Sequence, residues 1–228
     1  VSIIKDDKLK TVSHSRTNLI GKFYSSITLL LGMNPSRHHY KVMGLAPYGK
    51  PRFVDVIMSN KENIILGYVS SKKNSMINLE YLGNDQSFIV PNSNNLYGLI
   101  AFGTHKLINR REDLFNYLKK KDINFKPVLS NNACISKYSF IGQGTVVMHN
   151  SIINHSAIIG DNCIINTGTI IEHEVNIGSN TIISPGSIIN GAASIGNNCF
   201  IGSGTIIHEN IIIEDNTIIG SNLCIRKN

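Results

Sequence analysis

From Ile135 to the end of the chain a branched apolar residue recurs at every sixth position. Hexads begin at Ile141, Val147, Ile153 and onward to Ile225, and all fifteen starts are Ile or Val. The fifth position is mostly small, as in Thr145, Ser151, Ala157, Cys163, Thr169, Ser187 and Cys199. A fixed period of six does not fit the 3.6-residue period of a helix, and it predicts short stacked strands separated by turns. The fourth position is where the backbone must turn. It is Asn in eight hexads and Gly in four, the residues that enter the left-handed region most readily. Ser156, Glu174 and Ala192 depart from this rule, each 18 residues from the next. The sixth position is expected to face outward and is apolar in most hexads, including Val146, Ile152, Ile158, Ile164, Ile182, Ile212 and Ile218; the polar exceptions, Asn176 and Ser194, are again 18 apart. Both departures lead to one altered edge, which carries His173 and Glu174.

Ahead of the repeat the pattern changes. Val1 to Val12 predicts a hairpin around Asp6 and Asp7, and Asn18 to Leu31 an amphipathic helix with Leu19, Ile20, Phe23, Ile27 and Leu30 on its apolar stripe, stopped by Gly32. Asn63 to Ser70 and Leu96 to Phe102 read as strands. Thr104 to Lys121 reads as a helix, with Thr104 as N-cap and Leu107, Leu114 and Leu118 on its apolar side.

The unbroken register of corners resembles the hexapeptide-repeat acyltransferases, which implies a left-handed parallel β-helix with three hexads, 18 residues, in each triangular coil. The fold class expected is therefore mainly β: a left-handed parallel β-helix over 131–228, preceded over 63–130 by an incomplete α/β, Rossmann-like region. Residues 1–62 form a third segment. In it, Asn18 to Tyr24 (NLIGKFY) and Tyr40 to Gly49 (YKVMGLAPYG) resemble an internal piece of the nodulation-type O-carbamoyltransferases. It lacks the nucleotide-binding lobes and metal-binding histidines such an enzyme needs, so carbamoyl transfer is not expected. The chain opens at Val1 rather than Met and closes at Asn228 within a coil, which reads as a fusion of that fragment with a truncated acetyltransferase.

Composition narrows the class. Of 228 residues 16% are charged and 42% hydrophobic, which excludes a disordered chain; aromatics make up 7% and Trp is absent, so the core must be aliphatic. The net charge of +7 divides into −3 over 131–228 and +10 over 1–130. The lysines of the first part are scattered, except for Lys119, Lys120 and Lys121 at a helix end where cations suit the dipole, so no nucleic-acid partner is expected. No apolar run reaches the ~18 residues that span a bilayer and no charged, apolar and small-residue series marks a signal peptide, so no membrane partner and a cytoplasmic location are expected. Four cysteines without CxxC spacing fit a reducing compartment.

The stretch Asn166-Thr167-Gly168-Thr169-Ile170-Ile171-Glu172-His173-Glu174, continued by Ile183-Ser184-Pro185-Gly186 and Ile189-Asn190-Gly191, is similar to the signature of the sialic acid O-acetyltransferase and nucleotide-sugar N-acetyltransferase family. The resemblance implies His173 as general base, Glu174 as the carboxylate that raises its basicity, and the Gly191 N–H as oxyanion donor. It also implies acetyl-CoA as co-substrate, lying between protomers of a homotrimer past Gly202, Ser203, Gly220 and Ser221, with a sugar or nucleotide sugar as acceptor. Many members place a second, acetyl-contacting His where this chain has Ile182. On the acceptor side the family's positions fall on Ser70 and Ser71, where it has acidic residues, on Gly103, and on Asn166 of the signature; the Gly-rich phosphate loop of the family does not precede Asn63. The chemistry agrees with the assignment of His173, since acetyl transfer from a thioester needs a proton removed near neutral pH, where imidazole titrates. Gly191, 18 residues after His173, falls one coil above it by the repeat alone.

His155 falls on the same edge as His173, whereas His149 and His208 read as solvated turn residues. A zinc site of the gamma carbonic anhydrase type does not fit, because His149 and His155 are six apart and on different edges, so no metal is expected. The outward Ile faces are too apolar to be left wet and point to a trimer. The alternative reading is a non-catalytic trimeric scaffold, a remnant that has kept the β-helix.

Overall fold

The computed structural model describes residues 2–5, 8–11, 68–69, 81–83, 97–100, 102–103 and 108–227. Strands β1 (Ser2–Lys5) and β2 (Lys8–Thr11) pair antiparallel, Ser2 opposite Thr11 and Lys5 opposite Lys8, as the expected hairpin requires. The predicted helix Asn18–Leu31, the two carbamoyltransferase-like motifs, Ser70 and Ser71 lie outside the described residues. Of the strand expected at 63–70, β3 (Tyr68–Val69) is seen, parallel to β4 (Tyr81–Gly83). β5 (Tyr97–Gly98) lies parallel to β6 (Asn124–Phe125), and α1 (Ile108–Lys119) runs between them, making one strand–helix–strand crossover.

The helix is anchored differently from the expected apolar side. Ile108, Arg111 and Phe115 are its buried residues, at i, i+3 and i+7, while Leu114 and Leu118 are half-buried; Thr104 and Leu107 are outside the described residues. Arg111 takes the centre because its guanidinium is needed there. Nη1 donates to the carbonyls of Ile100 (2.6 Å) and Phe102 (2.7 Å), and Nε donates to that of Asn162 (3.2 Å). Three carbonyls, not an acid, offset part of its desolvation, while Nη2 has no hydrogen-bond partner among the described residues. Burial draws this group down to about 10, so it stays charged at neutral pH. The helix ends in a Schellman arrangement: Asp122 is left-handed (φ 58°), its N–H donates to Lys119 O (3.1 Å), and Ile123 N–H donates to Leu118 O (3.1 Å).

From Val128 onward two-residue strands follow one another every six residues and stack into three parallel sheets of six, six and five strands. The first face runs from Val128–Leu129 to Ile218–Ile219, the second from Cys134–Ile135 to Cys224–Ile225, and the third from Phe140–Ile141 to Ile212–Ile213. Each residue pairs with the one 18 positions on, as Ile152 with Ile170 and Ile170 with Ile188, so a coil is three hexads long. Neighbouring coils are separated by ~4.8 Å. Hexad starts from Val147 to Ile207 are buried in one axial column; each such side chain contributes about 1.5–3 kcal/mol by leaving water. The small fifth positions point inward too, and their hydroxyls are satisfied by the carbonyl fifteen residues on: Thr145 Oγ1 to Gly160 O (2.7 Å), Thr181 Oγ1 to Gly196 O (2.8 Å), Thr205 Oγ1 to Gly220 O (2.7 Å).

Backbone and packing decide how these corners and outward positions are realised. Fourth positions are left-handed at every corner from Gly144 to Asn222, including Ser156 (φ 59°), Glu174 (φ 59°) and Ala192 (φ 56°). Those three keep the corner and bear its strain, ~1–2 kcal/mol for a side chain with no polar local partner. Sixth positions are not all outward to solvent. Val146, Ile164 and Ile182 are buried on the first face, Ile164 and Ile182 beneath Ile108 of α1 and Val146 with Met148, Leu99 and Val128. The third face stays bare, with Phe140 61%, Ile158 50% and Ile212 72% exposed.

Candidate active site

The three edges of the prism differ in what they carry at their corners. The edge from the third face to the first has Asp161, Ser179, Asn197 and Asp215 in one column and Asn162, Asn180, Asn198 and Asn216 beside it; we call it the asparagine edge. The edge from the first face to the second holds Asn166–Gly168, Gly202–Gly204 and Gly220–Asn222, the glycine edge. The edge from the second to the third holds His155, His173, Gly191 and Glu209, the histidine edge.

On the histidine edge a cleft of ≈ 680 Å³ is lined by Glu172, His173, Glu174, Asn190, Gly191, Ala192, Glu209 and Asn210. The His173 ring projects over the coil above and covers Gly191 so closely that a Cβ there would lie 2.6 Å from Cε1 and 2.7 Å from Nε2. Glycine at 191 is thus a condition for the ring's position. His173 Nδ1 lies 3.2 Å from Glu174 Oε2, both side chains being exposed. A carboxylate at Nδ1 selects the tautomer with its proton there and leaves Nε2 as acceptor. The left-handed backbone at Glu174 is part of this arrangement, since Glu174 directly follows the histidine it contacts. Glu172 is held from below by Asn154, whose Nδ2 donates to Oε2 (2.9 Å). The Gly191 N–H has no hydrogen-bond partner among the described residues, although its carbonyl accepts from Asn210 N–H (3.1 Å).

The structure therefore brings His173, Glu174 and Gly191 together and adds Glu172, Asn190 and Glu209, which sequence reasoning had not singled out as site residues. Their signal was present, since positions 18 apart from Glu172 and His173 on the same edge are Asn190, Gly191, His208 and Glu209. Other expected site residues stand elsewhere within the chain. Asn166, Gly202, Ser203, Gly220 and Ser221 are on the glycine edge, where Asn166 Oδ1 accepts from Thr167 N–H (2.8 Å). Ile182 is on the first face, 3% exposed, packed with Ile108, Ile164 and Phe200. Gly103 sits against that same face, because a Cβ there would run into Ile164. His149 is buried rather than solvated, its Nδ1 2.6 Å from Ser130 Oγ. His208 is partly exposed, with Nδ1 3.6 Å from Glu209 Oε2. His155 packs against Tyr138, ring centres 5.1 Å apart, and its Nδ1 is 2.7 Å from Ser156 Oγ.

The described coils thus form a three-sided parallel solenoid with an exposed imidazole on one edge. Residues 138–173, 156–191 and 192–227 match the family model for bacterial transferase hexapeptide (six repeats), so this part of the chain is built of that repeat. Solved structures of similar fold include the acetyltransferase domain of PglB from Neisseria gonorrhoeae FA1090 (20% identity, TM-score 0.64, 84% of this chain and 88% of that one). A variant of perosamine N-acetyltransferase from Caulobacter crescentus, in complex with CoA and GDP-perosamine, is similar over 78% of this chain and 83% of that one (21%, TM-score 0.68). WeeI from Acinetobacter baumannii AYE is similar over 85% and 89% (21%, TM-score 0.68). At these identities the likeness is one of fold. Among curated proteins, the uncharacterized protein sll1178 of Synechocystis sp. is 46% identical over 41 residues, 18% of this chain; the chain spans 7% of that protein's length. Among the described residues no helix is long and apolar enough to cross a membrane.

Proposed function

We propose that this chain transfers the acetyl group of acetyl-CoA to an amino group of a sugar or nucleotide sugar, as a homotrimer. The observation that carries the reading is the His173 imidazole set between Glu174 and the unpaired Gly191 N–H in an open cleft. The acceptor nitrogen attacks the thioester carbonyl; His173 Nε2 takes the proton the nitrogen sheds as the C–N bond forms, and Glu174 stabilises the imidazolium. The carbonyl oxygen, now an oxyanion, is received by Gly191 N–H. Collapse breaks the C–S bond, and the departing thiolate recovers the proton from His173. An amine is favoured over a hydroxyl by charge. Glu172, Glu174 and Glu209 line the cleft and, among the described residues, no Lys or Arg does, a field that draws in an amino sugar as its ammonium, which gives up one proton to water before the neutral nitrogen attacks, and repels a carboxylate-bearing acceptor such as sialic acid. Two relatives in fold support the donor: the PglB domain was also solved with acetyl coenzyme A, and the perosamine enzyme with CoA.

The test is CoA release from acetyl-CoA, followed with a thiol reagent, against UDP-4-amino sugars and sialic acid, with His173→Ala alongside. Cys134 and Cys224 are exposed and supply a fixed background; Cys163, buried and with its thiol pushed up to about 12 by desolvation, does not. Release that depends on an amino sugar and is lost in the variant is expected. No release with any acceptor, from a folded protein, would instead favour the non-catalytic scaffold. The exposed third face, through Phe140, Ile158 and Ile212, is the proposed trimer contact, and sedimentation at micromolar concentration would overturn it by showing a monomer.

A further inference from the structure

Three carboxylates line the His173 cleft, and they are not alike. Glu174 lies 3.2 Å from His173 Nδ1 and Glu209 lies 3.6 Å from His208 Nδ1, their side chains 66% and 65% exposed. Glu172 contacts no histidine. It is half-buried, and its Oε2 accepts from Asn154 Nδ2 (2.9 Å) in the coil below. A neutral amide fixes this carboxylate without cancelling its charge, and Oε1 has no hydrogen-bond partner among the described residues. The repeat sets the group beside the base. Asn154, Glu172 and Asn190 follow one another at 18-residue steps in one column, and His155, His173 and Gly191 do so in the next. Carboxylate and imidazole therefore stand on consecutive residues of one corner, ~3.8 Å apart at Cα, and both open on the same cleft.

Two acceptors side by side count the donors of whatever binds between them. We infer that Glu172, held by Asn154, makes the cleft select an amine over a hydroxyl: its Oε1 takes one N–H of the attacking nitrogen while His173 Nε2 takes the other. The inference rests on the transfer to an amino group proposed above, and it assigns that preference to one residue. The acceptor enters as an ammonium, its charge against the carboxylate, and gives up one proton to water. The neutral nitrogen that remains has two N–H groups and a lone pair. One N–H goes to Glu172, the other to His173, and the lone pair is left for the thioester carbonyl. As the C–N bond forms His173 removes its proton, and the hydrogen held by Glu172 is the one the amide product keeps. A hydroxyl has a single O–H. The charged carboxylate draws it as the stronger acceptor and so turns the only proton away from the base. Given to His173 instead, that proton leaves a half-buried carboxylate facing the lone pairs of the hydroxyl oxygen.

Glu172→Gln is the direct test. The Asn154 amide holds the oxygen of the new side chain and turns its NH2 toward the cleft, a donor where the wild type offers an acceptor. Initial rates are measured on the full chain with acetyl-CoA and a UDP-4-amino sugar, and inhibition by the 4-hydroxy counterpart of that sugar, for wild type, Glu172→Gln and Asn154→Ala. Melting temperatures show that each is folded. The wild type is expected to bind the amine about 10-fold or more tightly than the hydroxyl counterpart. In Glu172→Gln the KM for the amine should rise about 10-fold or more and the preference fall to near unity, with the KM for acetyl-CoA unchanged. Asn154→Ala, which frees the carboxylate without removing it, should show a smaller rise of the same kind. A preference retained in Glu172→Gln, or a kcat that collapses while KM holds, would overturn the selective role of Glu172 and leave acetyl transfer intact. A folded wild type that acetylates no amino sugar would overturn the transfer reading itself, and this inference with it.

Discussion

The asparagine and histidine edges are built on the same backbone and use it in opposite ways. On the asparagine edge each corner N–H is taken by the side chain one coil above: Gln143 N–H by Asp161 Oδ1 (2.8 Å), Asp161 by Ser179 Oγ (3.1 Å), Ser179 by Asn197 Oδ1 (2.8 Å), Asn197 by Asp215 Oδ1 (2.7 Å). Beside that ladder, Asn162 Nδ2 donates to Asn180 Oδ1 (2.8 Å), and every left-handed corner above Gly144 is Asn. On the histidine edge no side chain from the coil above caps the N–H of His155, His173 or Gly191 among the described residues. Its left-handed corners are Ser156, Glu174 and Ala192, with Asn returning only at Asn210. One edge spends its side chains on closing the coils. The other forgoes this and keeps an N–H, an imidazole and a carboxylate available, which is the usual relation between strain and function in a folded chain.

The largest effects should fall on the histidine edge and spare the fold. His173→Ala is expected to lower acetyl transfer ~10²–10⁴-fold, the range for a general base, with an unchanged melting temperature because the ring is exposed. Gly191→Ala is the sharper probe. The atoms nearest its Cβ would all be those of the His173 ring, the free end of a side chain, so the ring turns away and activity falls ~10²-fold while stability holds. The same substitution at Gly178, on the asparagine edge, would set a Cβ 2.6 Å from Gly196 C and 2.7 Å from Asn197 N, backbone that cannot step aside. Gly178→Ala should therefore cost ~1–3 kcal/mol of stability, seen as a lower melting temperature. Equal loss of stability at the two glycines would erase the distinction between the edges.

Asn180→Ala comes next. It removes the shorter of the two acceptors of Asn162 Nδ2, leaving Arg111 O at 3.4 Å, and puts alanine at φ 59°, so a loss of about 1–3 kcal/mol is expected in chemical denaturation. A cost below about 0.5 kcal/mol would mean that the ladder is ornament to the stacking of the coils.

Much of this contrast was legible in the residues. The period of six, the Asn and Gly corners and the shared edge of His173, Glu174 and Gly191 all follow from position modulo 18. What the repeat could not show was how the preceding segment lies on it. Val146, Ile164 and Ile182 read as outward and are outward, but α1 covers two of them and the segment around Leu99 and Val128 the third, a non-local contact that no periodicity encodes. The helical spacing points to its leucines as the contact side, whereas a cation, Arg111, sits at the centre because three carbonyls converge there. Ser156, Glu174 and Ala192 depart from the Asn and Gly rule yet keep the left-handed corner; a stack of eighteen-residue coils holds each backbone from both sides, and the geometry of the stack overrides the preference of a single residue.

The smallest effect tests that last point and separates strain from function within one position. Ala192 is held at φ 56° and lines the His173 cleft. Ala192→Asn transplants the corner residue of the stable edge, and relief of left-handed strain should raise stability by about 0.5–1 kcal/mol, a melting shift of a few degrees. Ala192→Gly relieves the same strain but restores chain entropy to the unfolded state, so its gain should be smaller by a few tenths of a kcal/mol or more. The two differ in the cleft: asparagine adds a side chain beside His173 and should lower turnover, glycine adds none and should leave it. Stability gained by both with activity lost only in Ala192→Asn would show that the histidine edge gives up its corner asparagine for room. If neither variant is stabilised, the coil stack imposes that backbone without strain, and the absence of asparagine from this edge reflects the cleft alone.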